Sequence, residues 1–237
     1  MKNEIKKFFE RNFFNACWTC AVCGAEIFEG RYCKDCKKTL PLISGARCDH
    51  CGRKLKKAAE YCDSCKEKNI SFDKARSAFD YEYPISSLIM KLKYEGAGYL
   101  SGIFAEDLAP IYFSEFTCAD FISFVPMTEA HKKERGYNQA ELIARALSEI
   151  VGVEVKQCAV KTKETLRQAT LSGSERRENL SGAFRALKSE VKGKTVVIVD
   201  DVMTTGATAD ALSSALKNAG AEKAFVLTVA SVSKYKR

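Results

Sequence analysis

Two groups of residues in this chain have types and spacings that can do chemistry. The first is a set of four Cys-x-x-Cys pairs, Cys20/Cys23, Cys33/Cys36, Cys48/Cys51 and Cys62/Cys65, with nine residues between the first two pairs and ten between the last two. Each pair lets two thiolates reach one tetrahedral ion, and two pairs close a four-sulfur Zn²⁺ site with every position filled by protein, which is a structural role. The second group lies in the run Val196-Val197-Ile198-Val199-Asp200-Asp201-Val202-Met203-Thr204-Thr205-Gly206-Ala207-Thr208. An apolar strand ends there in two acids, a loop of small and hydroxylated residues follows, and a helix begins. Ligands of open α/β sheets sit beyond the carboxyl ends of strands, and backbone N–H groups at a helix start favour an anion. Thr204, Thr205 and Thr208 offer hydroxyls to phosphate oxygens, and Gly206 tolerates positive φ and close approach of the backbone. Asp200 and Asp201 would repel a phosphate but accept hydrogen bonds from ribose 2′- and 3′-hydroxyls. Acids on a sugar and loop on its 5′-phosphate is therefore a consistent division of labour. The plain alternative, an N-capped turn, needs only one such residue.

Nine of the 11 cysteines precede residue 66. Residues 17–65 are rich in Cys, Gly and Lys and too poor in apolar runs to build much core, so a bound ion must hold them together. Sequential pairing of the knuckles is simplest; an interleaved cross-brace, or Cys17 or His50 as substitute ligands, stays open. Redox activity is the rival for a single Cys-x-x-Cys, and four in series argue against it. Cys118 and Cys158 stand alone and are expected to be buried small apolar residues. The first residues are charged and lack the apolar run of a secretory signal, and no stretch approaches a spanning length. Clustered thiols without export point to a reducing cytoplasm. The formal net charge of +8 favours polyanionic partners, and Lys34, Lys37, Lys38, Arg47, Arg53, Lys54, Lys56 and Lys57 are candidates for a nucleic-acid-facing surface.

Elements that must position these groups follow from periodicity. Ile5–Asn15 reads as a short amphipathic helix that packs on the zinc module or docks on a membrane surface or partner. Ala75–Tyr83 reads as a strand, and Pro84 opens a helix with Ile85, Leu88, Ile89 and Leu92 on one face. Leu100, Ile103, Phe104, Leu108 and Ile111 mark a second helix, and Phe121–Val125 a buried strand. Gln139–Ile150 is helical, Thr195–Val199 is a strand, Ala207–Asn218 is a helix followed by Gly220, and Phe225–Ala230 is the last strand. Alternating strands and helices imply a largely parallel sheet covered on both faces. Two modules are expected, a cysteine module over 1–70 and an α/β domain over 71–237, joined at Glu67–Ser71.

With these residues assembled, Val196–Thr208 resembles the motif that binds 5-phosphoribosyl 1-diphosphate (PRPP) in type I phosphoribosyltransferases. The likeness extends to Phe121–Ala140, with Arg135-Gly136-Tyr137-Asn138-Gln139-Ala140, to Gln168–Phe184 with Arg176 and Asn179, and to Lys91-Leu92-Lys93-Tyr94. Together with the cysteine module, the chain resembles the ComF family, with Met127-Thr128 where relatives often carry Leu-His. That resemblance implies a type I phosphoribosyltransferase α/β fold with a small N-terminal four-cysteine zinc module, and Mg²⁺ bound with PRPP. Asp200, Asp201, Val202, Met203, Thr204, Thr205, Gly206, Ala207 and Thr208 would then hold the ribose 5-phosphate, and Pro126, Met127 and Thr128 the diphosphate. A mobile loop about Lys161–Arg177 would close over the site. Asp200, Asp201 and Arg135 are the candidate catalytic residues; Arg135, Arg167, Arg176 and Arg177, and more weakly Lys91 and Lys93, are candidates to neutralise the departing diphosphate. His131 is expected to be solvated. The acceptor is not legible, because the cysteine module stands where a base-binding hood would be. Two functions are expected from the resemblance: a phosphoribosyltransferase with an unknown acceptor, or a non-catalytic PRPP- or nucleotide-binding adaptor that engages single-stranded DNA or a helicase. Either would act in DNA uptake during natural transformation, with nucleotide metabolism as the further alternative.

Overall fold

The computed structural model describes residues 19–67, 70–162 and 182–233. In chain order the elements are α1 (Lys34–Thr39), α2 (Asp63–Lys66), β1 (Lys74–Asp80), α3 (Ile85–Tyr94), α4 (Leu100–Glu115), β2 (Phe121–Phe124), α5 (Glu129–Arg135), α6 (Gln139–Val151), β3 (Ala159–Lys161), β4 (Phe184–Ala186), α7 (Lys188–Val191), β5 (Thr195–Met203), α8 (Ala207–Asn218) and β6 (Lys223–Ser231). The expected Ile5–Asn15 helix, Cys17 and the segment holding Arg167, Arg176 and Arg177 lie outside the described residues.

β1, β2, β5 and β6 form a parallel sheet in the order β1-β6-β5-β2, and β3 pairs antiparallel with β4 beside it. The β-branched run of β5 is buried on both faces, as a central parallel strand requires. Val197 and Val199 join one apolar cluster with α3, α4 and α6 residues such as Leu88, Phe104 and Ile143. Val196 and Ile198 join the other with Leu212 and Leu216 of α8. The apolar pattern ends β5 at Val199; the strand runs four residues further because Asp200, Val202 and Met203 pair with Thr228, Ala230 and Ser231 of β6. The pleat then sends the two acids to opposite faces.

Chain direction fixes the ligand crevice. β2 leads through α5 and α6 to a parallel bridge between Ile122 and Val155 on its outer side, whereas β5 leads through α8 to β6 on the inner side. The connections part between β2 and β5, and the crevice beyond the carboxyl ends of such strands is where open α/β sheets take their ligands. Both the turn Pro126–Thr128 and the loop Thr204–Gly206 emerge there.

Two polar clips are among the contacts that pack the cysteine module on this domain. Tyr32 and Arg31 donate to Asp107 of α4 at 2.7 and 2.8 Å. Further along, Glu115 accepts from Arg47 at 2.8 Å, Arg76 at 2.7 Å and Lys74 at 3.3 Å. The Ala75 N–H donates to the His50 carbonyl at 2.7 Å. Gly52 lies so close to β1 that a Cβ there would stand 2.6 Å from the Ala75 oxygen, at a φ of +68°. Among the described residues no helix is long and apolar enough to cross a membrane.

Candidate active site and metal centres

The cysteine knuckles fold around their own backbones. Cys33 caps α1, its sulfur accepting from the Cys36 N–H at 3.4 Å, and the Cys48 sulfur accepts from the Cys51 and Cys62 N–H groups at 3.5 and 3.2 Å. The pairs assemble sequentially into Cys20/Cys23/Cys33/Cys36 and Cys48/Cys51/Cys62/Cys65. Sulfur separations are 3.8 Å for Cys23–Cys33 and 3.6 to 3.9 Å within the second set. A tetrahedron of about 2.3 Å zinc–sulfur bonds has edges of about 3.8 Å, so the clusters fit such an ion. His50 is not a member; its ring stacks on Phe72 at 5.0 Å, and burial lowers its pKa. In the second cluster the Cys51 thiol is pushed down to about 5, first by its hydrogen bond with Cys65 and then, against burial, by the Arg53 N–H and charge. Burial opposes ionisation of Cys20, yet the Cys23, Cys33 and Val22 N–H groups bring it down to about 6. The Cys65 and Cys36 thiols are pushed up, Cys65 chiefly by its bond to Cys51 and Cys36 by burial and by Cys33. A divalent ion bound among four thiols would deprotonate its ligands.

At the sheet crevice the Arg135–Ala140 run acts as a brace. Gly136 ends α5 in the left-handed region at φ 85°, and Asn138 caps α6 by accepting the Ala140 N–H at 3.0 Å. Asn138 also donates to the Val125 carbonyl at 3.0 Å, and the Tyr137 hydroxyl donates to the Leu92 carbonyl. Gln139, set first in α6, donates to Asp201 at 2.6 Å and accepts from Arg135 at 2.6 Å, while Arg135 lies over the Tyr94 ring at 5.0 Å. Lys93 of α3 completes the chain with an ion pair to Asp201 at 2.8 Å. Burial works against the Lys93 charge, but Asp201 and then Asp200 more than offset it and raise its pKa.

The two acids are therefore not equivalent. Asp201 is 3% exposed and committed to Lys93 and Gln139. Asp200 faces a small hollow lined also by Thr204, Gly206, Ala207, Thr208 and Thr228. Burial, and then the neighbouring Asp201 charge, push Asp200 up to about 7. Gly206 adopts φ 81° at the start of α8, and the Ala207 N–H reaches the Thr205 hydroxyl at 3.4 Å. Pro126, Met127 and Thr128 form the neighbouring turn, with Thr128 capping α5 by accepting the His131 N–H at 3.4 Å.

Several expectations change. His131 is half-buried, its Nδ1 3.0 Å from the Thr128 hydroxyl, because it sits in the capped turn. Cys118 is exposed, since it falls in the turn after α4, whereas Cys158 is buried as expected, against Ser123. Of the basic residues assigned to an outer surface, Arg47 turns to Glu115, Lys54 to Asp80 and the buried Arg53 to the Thr204 carbonyl at 2.9 Å. Nothing in the sequence pairs Gln139 or Lys93 with Asp201 beyond their membership of the quoted motifs.

Residues 133–237 match the phosphoribosyl transferase domain family and residues 16–66 the double zinc ribbon domain family. The chain is 31% identical over 225 residues to Competence protein F of Haemophilus influenzae, covering 90% of this chain and 95% of that protein. It is 32% identical over 211 residues to the DNA utilization protein YhgH of Escherichia coli K12, covering 86% and 92%. Competence protein ComFC of Bacillus subtilis is 24% identical over 191 residues, covering 75% and 74%. Among solved structures, the glutamine PRPP amidotransferase from B. subtilis aligns at TM-score 0.40 and 21% identity, over 56% of this chain and 26% of that one. The fold is that of a type I phosphoribosyltransferase-like α/β domain with an N-terminal cysteine-rich, zinc-binding module. The chain belongs to the ComF/ComFC family of competence proteins.

Proposed function

We propose that this chain binds PRPP with Mg²⁺ at the carboxyl ends of β2 and β5 and transfers or senses its phosphoribosyl group in the handling of incoming single-stranded DNA. The observation that carries the reading is the pairing of Asp200 with a glycine-hinged Thr loop around one hollow at the sheet's switch point. Asp200 would accept the ribose hydroxyls. The N–H groups and hydroxyls of Thr204–Thr208 would hold the 5′-phosphate, and the Pro126–Thr128 turn the diphosphate. Magnesium binds through one or two carboxylates plus phosphate oxygens, and Asp200, pushed up by burial and by the neighbouring negative charge, is a fitting donor. That ion would neutralise charge on the departing diphosphate. Asp201 serves by fixing β5 against α3 and α6, and Arg135 acts through Gln139. Zn²⁺ in the two four-sulfur clusters would hold the ribbons. The role in DNA uptake rests on the relatives, which are named competence and DNA utilization proteins.

Calorimetry with PRPP and Mg²⁺ tests the reading. Asp200→Asn should weaken binding about 10- to 100-fold, the worth of hydrogen bonds to a charged acceptor, and affinity of the parent should fall below about pH 7 as Asp200 takes up its proton. No heat with PRPP at any pH removes the proposal. Diphosphate release in the presence of candidate acceptors separates turnover from binding alone. Affinity for single-stranded DNA should drop steeply as salt rises; a flat response would take DNA off the partner list.

A further inference from the structure

The second cysteine cluster does more than hold its own ribbon. Cys48, Cys51, Cys62 and Cys65 are all buried and share one apolar cluster with Phe72, Met203, Ala207 and Leu212. The knuckle and the phosphate loop face each other across a narrow gap lined by Cys51, Arg53, Phe72, Thr205, Gly206 and Asp210. One side chain crosses between them. Arg53, two residues past Cys51 and only 8% exposed, donates from its guanidinium to the Thr204 carbonyl at 2.9 Å. Its Nε is buried with no hydrogen-bond partner among the described residues. Leaving that donor unpaired is costly; the guanidinium sits with its charge beside Cys51 and its donated bond on the Thr204 carbonyl.

Peptide planarity gives the contact its meaning. In a trans peptide the carbonyl of one residue and the N–H of the next point in opposite directions. With the Thr204 oxygen drawn toward the knuckle, the Thr205 N–H is turned to the opposite side of the loop. A rotated peptide would present a carbonyl oxygen where that N–H now points, and an anion bound on that side would meet repulsion in place of a donor. Charge-assisted bonds are roughly twice as strong as neutral ones, which suits a residue that must hold one peptide plane.

We propose that Arg53 is a positioning residue for the phosphate loop, carried by the second metal cluster and setting the Thr204–Thr205 peptide so that it receives a sugar phosphate. The inference rests on the PRPP reading above. It names which part of that ligand depends on the ribbon: the 5′-phosphate, through the loop, and not the diphosphate, which falls to the Pro126–Thr128 turn.

The test uses the full-length, zinc-loaded protein with two probes, ribose 5-phosphate and magnesium diphosphate, followed by calorimetry alongside metal analysis. Arg53→Met should weaken ribose 5-phosphate about 10- to 100-fold, leave magnesium diphosphate within about twofold, and keep the parent's metal content. Arg53→Lys, which restores one charged donor, should recover most of the loss. Equal ribose 5-phosphate affinity in parent and Arg53→Met overturns the inference. Joint loss of both probes, or loss of metal, with no recovery in Arg53→Lys, also overturns it, because Arg53 would then support the fold at large. Failure of the parent to bind ribose 5-phosphate or PRPP sinks the underlying site reading instead, and the two failures are read from different proteins.

Discussion

Two cysteine clusters of the same composition sit in unlike surroundings. In the first, Cys20 alone is buried, Cys23 is exposed and Cys33 and Cys36 are intermediate; in the second all four are buried. The first is fastened from outside by the Arg31 and Tyr32 clip to Asp107. The second is part of a domain core and abuts the loop at the start of α8. Identical ligand chemistry can thus be local scaffolding in one place and part of the site's foundation in another. Burial, not spacing, tells them apart.

The largest expected consequence is in metal loss. Structural zinc sites carry about 10–16 kcal/mol of folding energy, and in the second cluster that energy is shared with the α/β core. Cys51→Ser should lower the melting temperature by more than about 10 °C, against less than about 4 °C for Cys23→Ser, with roughly one metal equivalent lost from each. Scanning calorimetry with metal analysis checks this. Melting within a few degrees of each other would empty the contrast of energetic content.

Next in size is the pair of acids. Asp201→Asn strips the half-buried Lys93 of its partner and should cost about 2–4 kcal/mol in urea unfolding. Asp200→Asn should do the reverse. The native carboxyl, raised to about 7, binds protons that the unfolded chain has already released. Its contribution to stability therefore falls as pH rises from about 4 to about 7. Removing the charge should flatten that slope and leave the variant as stable as the parent, or more so, above about pH 7. Equal destabilisation by both changes would refute the two-faced arrangement.

Smallest are the clips. Burial opposes the Glu115 charge, but Arg76, Lys74 and Arg47 more than offset it and lower its pKa. Stability from Glu115 is thus present above its unfolded value and lost as pH falls through the lowered one. Asp107 is raised to about 6, because burial outweighs Arg31 and Tyr32. Its contribution falls as pH rises from about 4 to about 6. Glu115→Gln should cost about 1–3 kcal/mol and Asp107→Asn less at neutral pH, where its charge is already disfavoured; melting followed against pH should show slopes changed in opposite senses. Parallel changes would mean the two attachments do not differ in this way.

Much of this was legible in the chain. The knuckle spacing marked both four-sulfur sets, and the apolar runs placed α3, α6, α8 and every strand of the main sheet. Gly206 marked the left-handed turn that opens α8. What was hidden came from pairing across distance. Asp200 and Asp201 look alike side by side, and only the continuation of β5 to Met203, set by its ladder with β6, sends them to different faces. Arg53 reads as one more base in a charged stretch until the fold brings Thr204 beside it, 151 residues along the chain. Cys118 carried no cue that its turn points outward.

The way the cysteine module lies against β1 has a further consequence. The Ile43 N–H donates to the Ala78 carbonyl, and the Asp80 N–H donates to the Pro41 carbonyl, so the link between the two ribbons runs along the outermost strand of the sheet. Unpaired strand edges invite other chains to pair with them. A fragment beginning at residue 71 would bare that edge together with the greasy flank around Phe72 and Met203, and should clump where the intact chain stays dispersed.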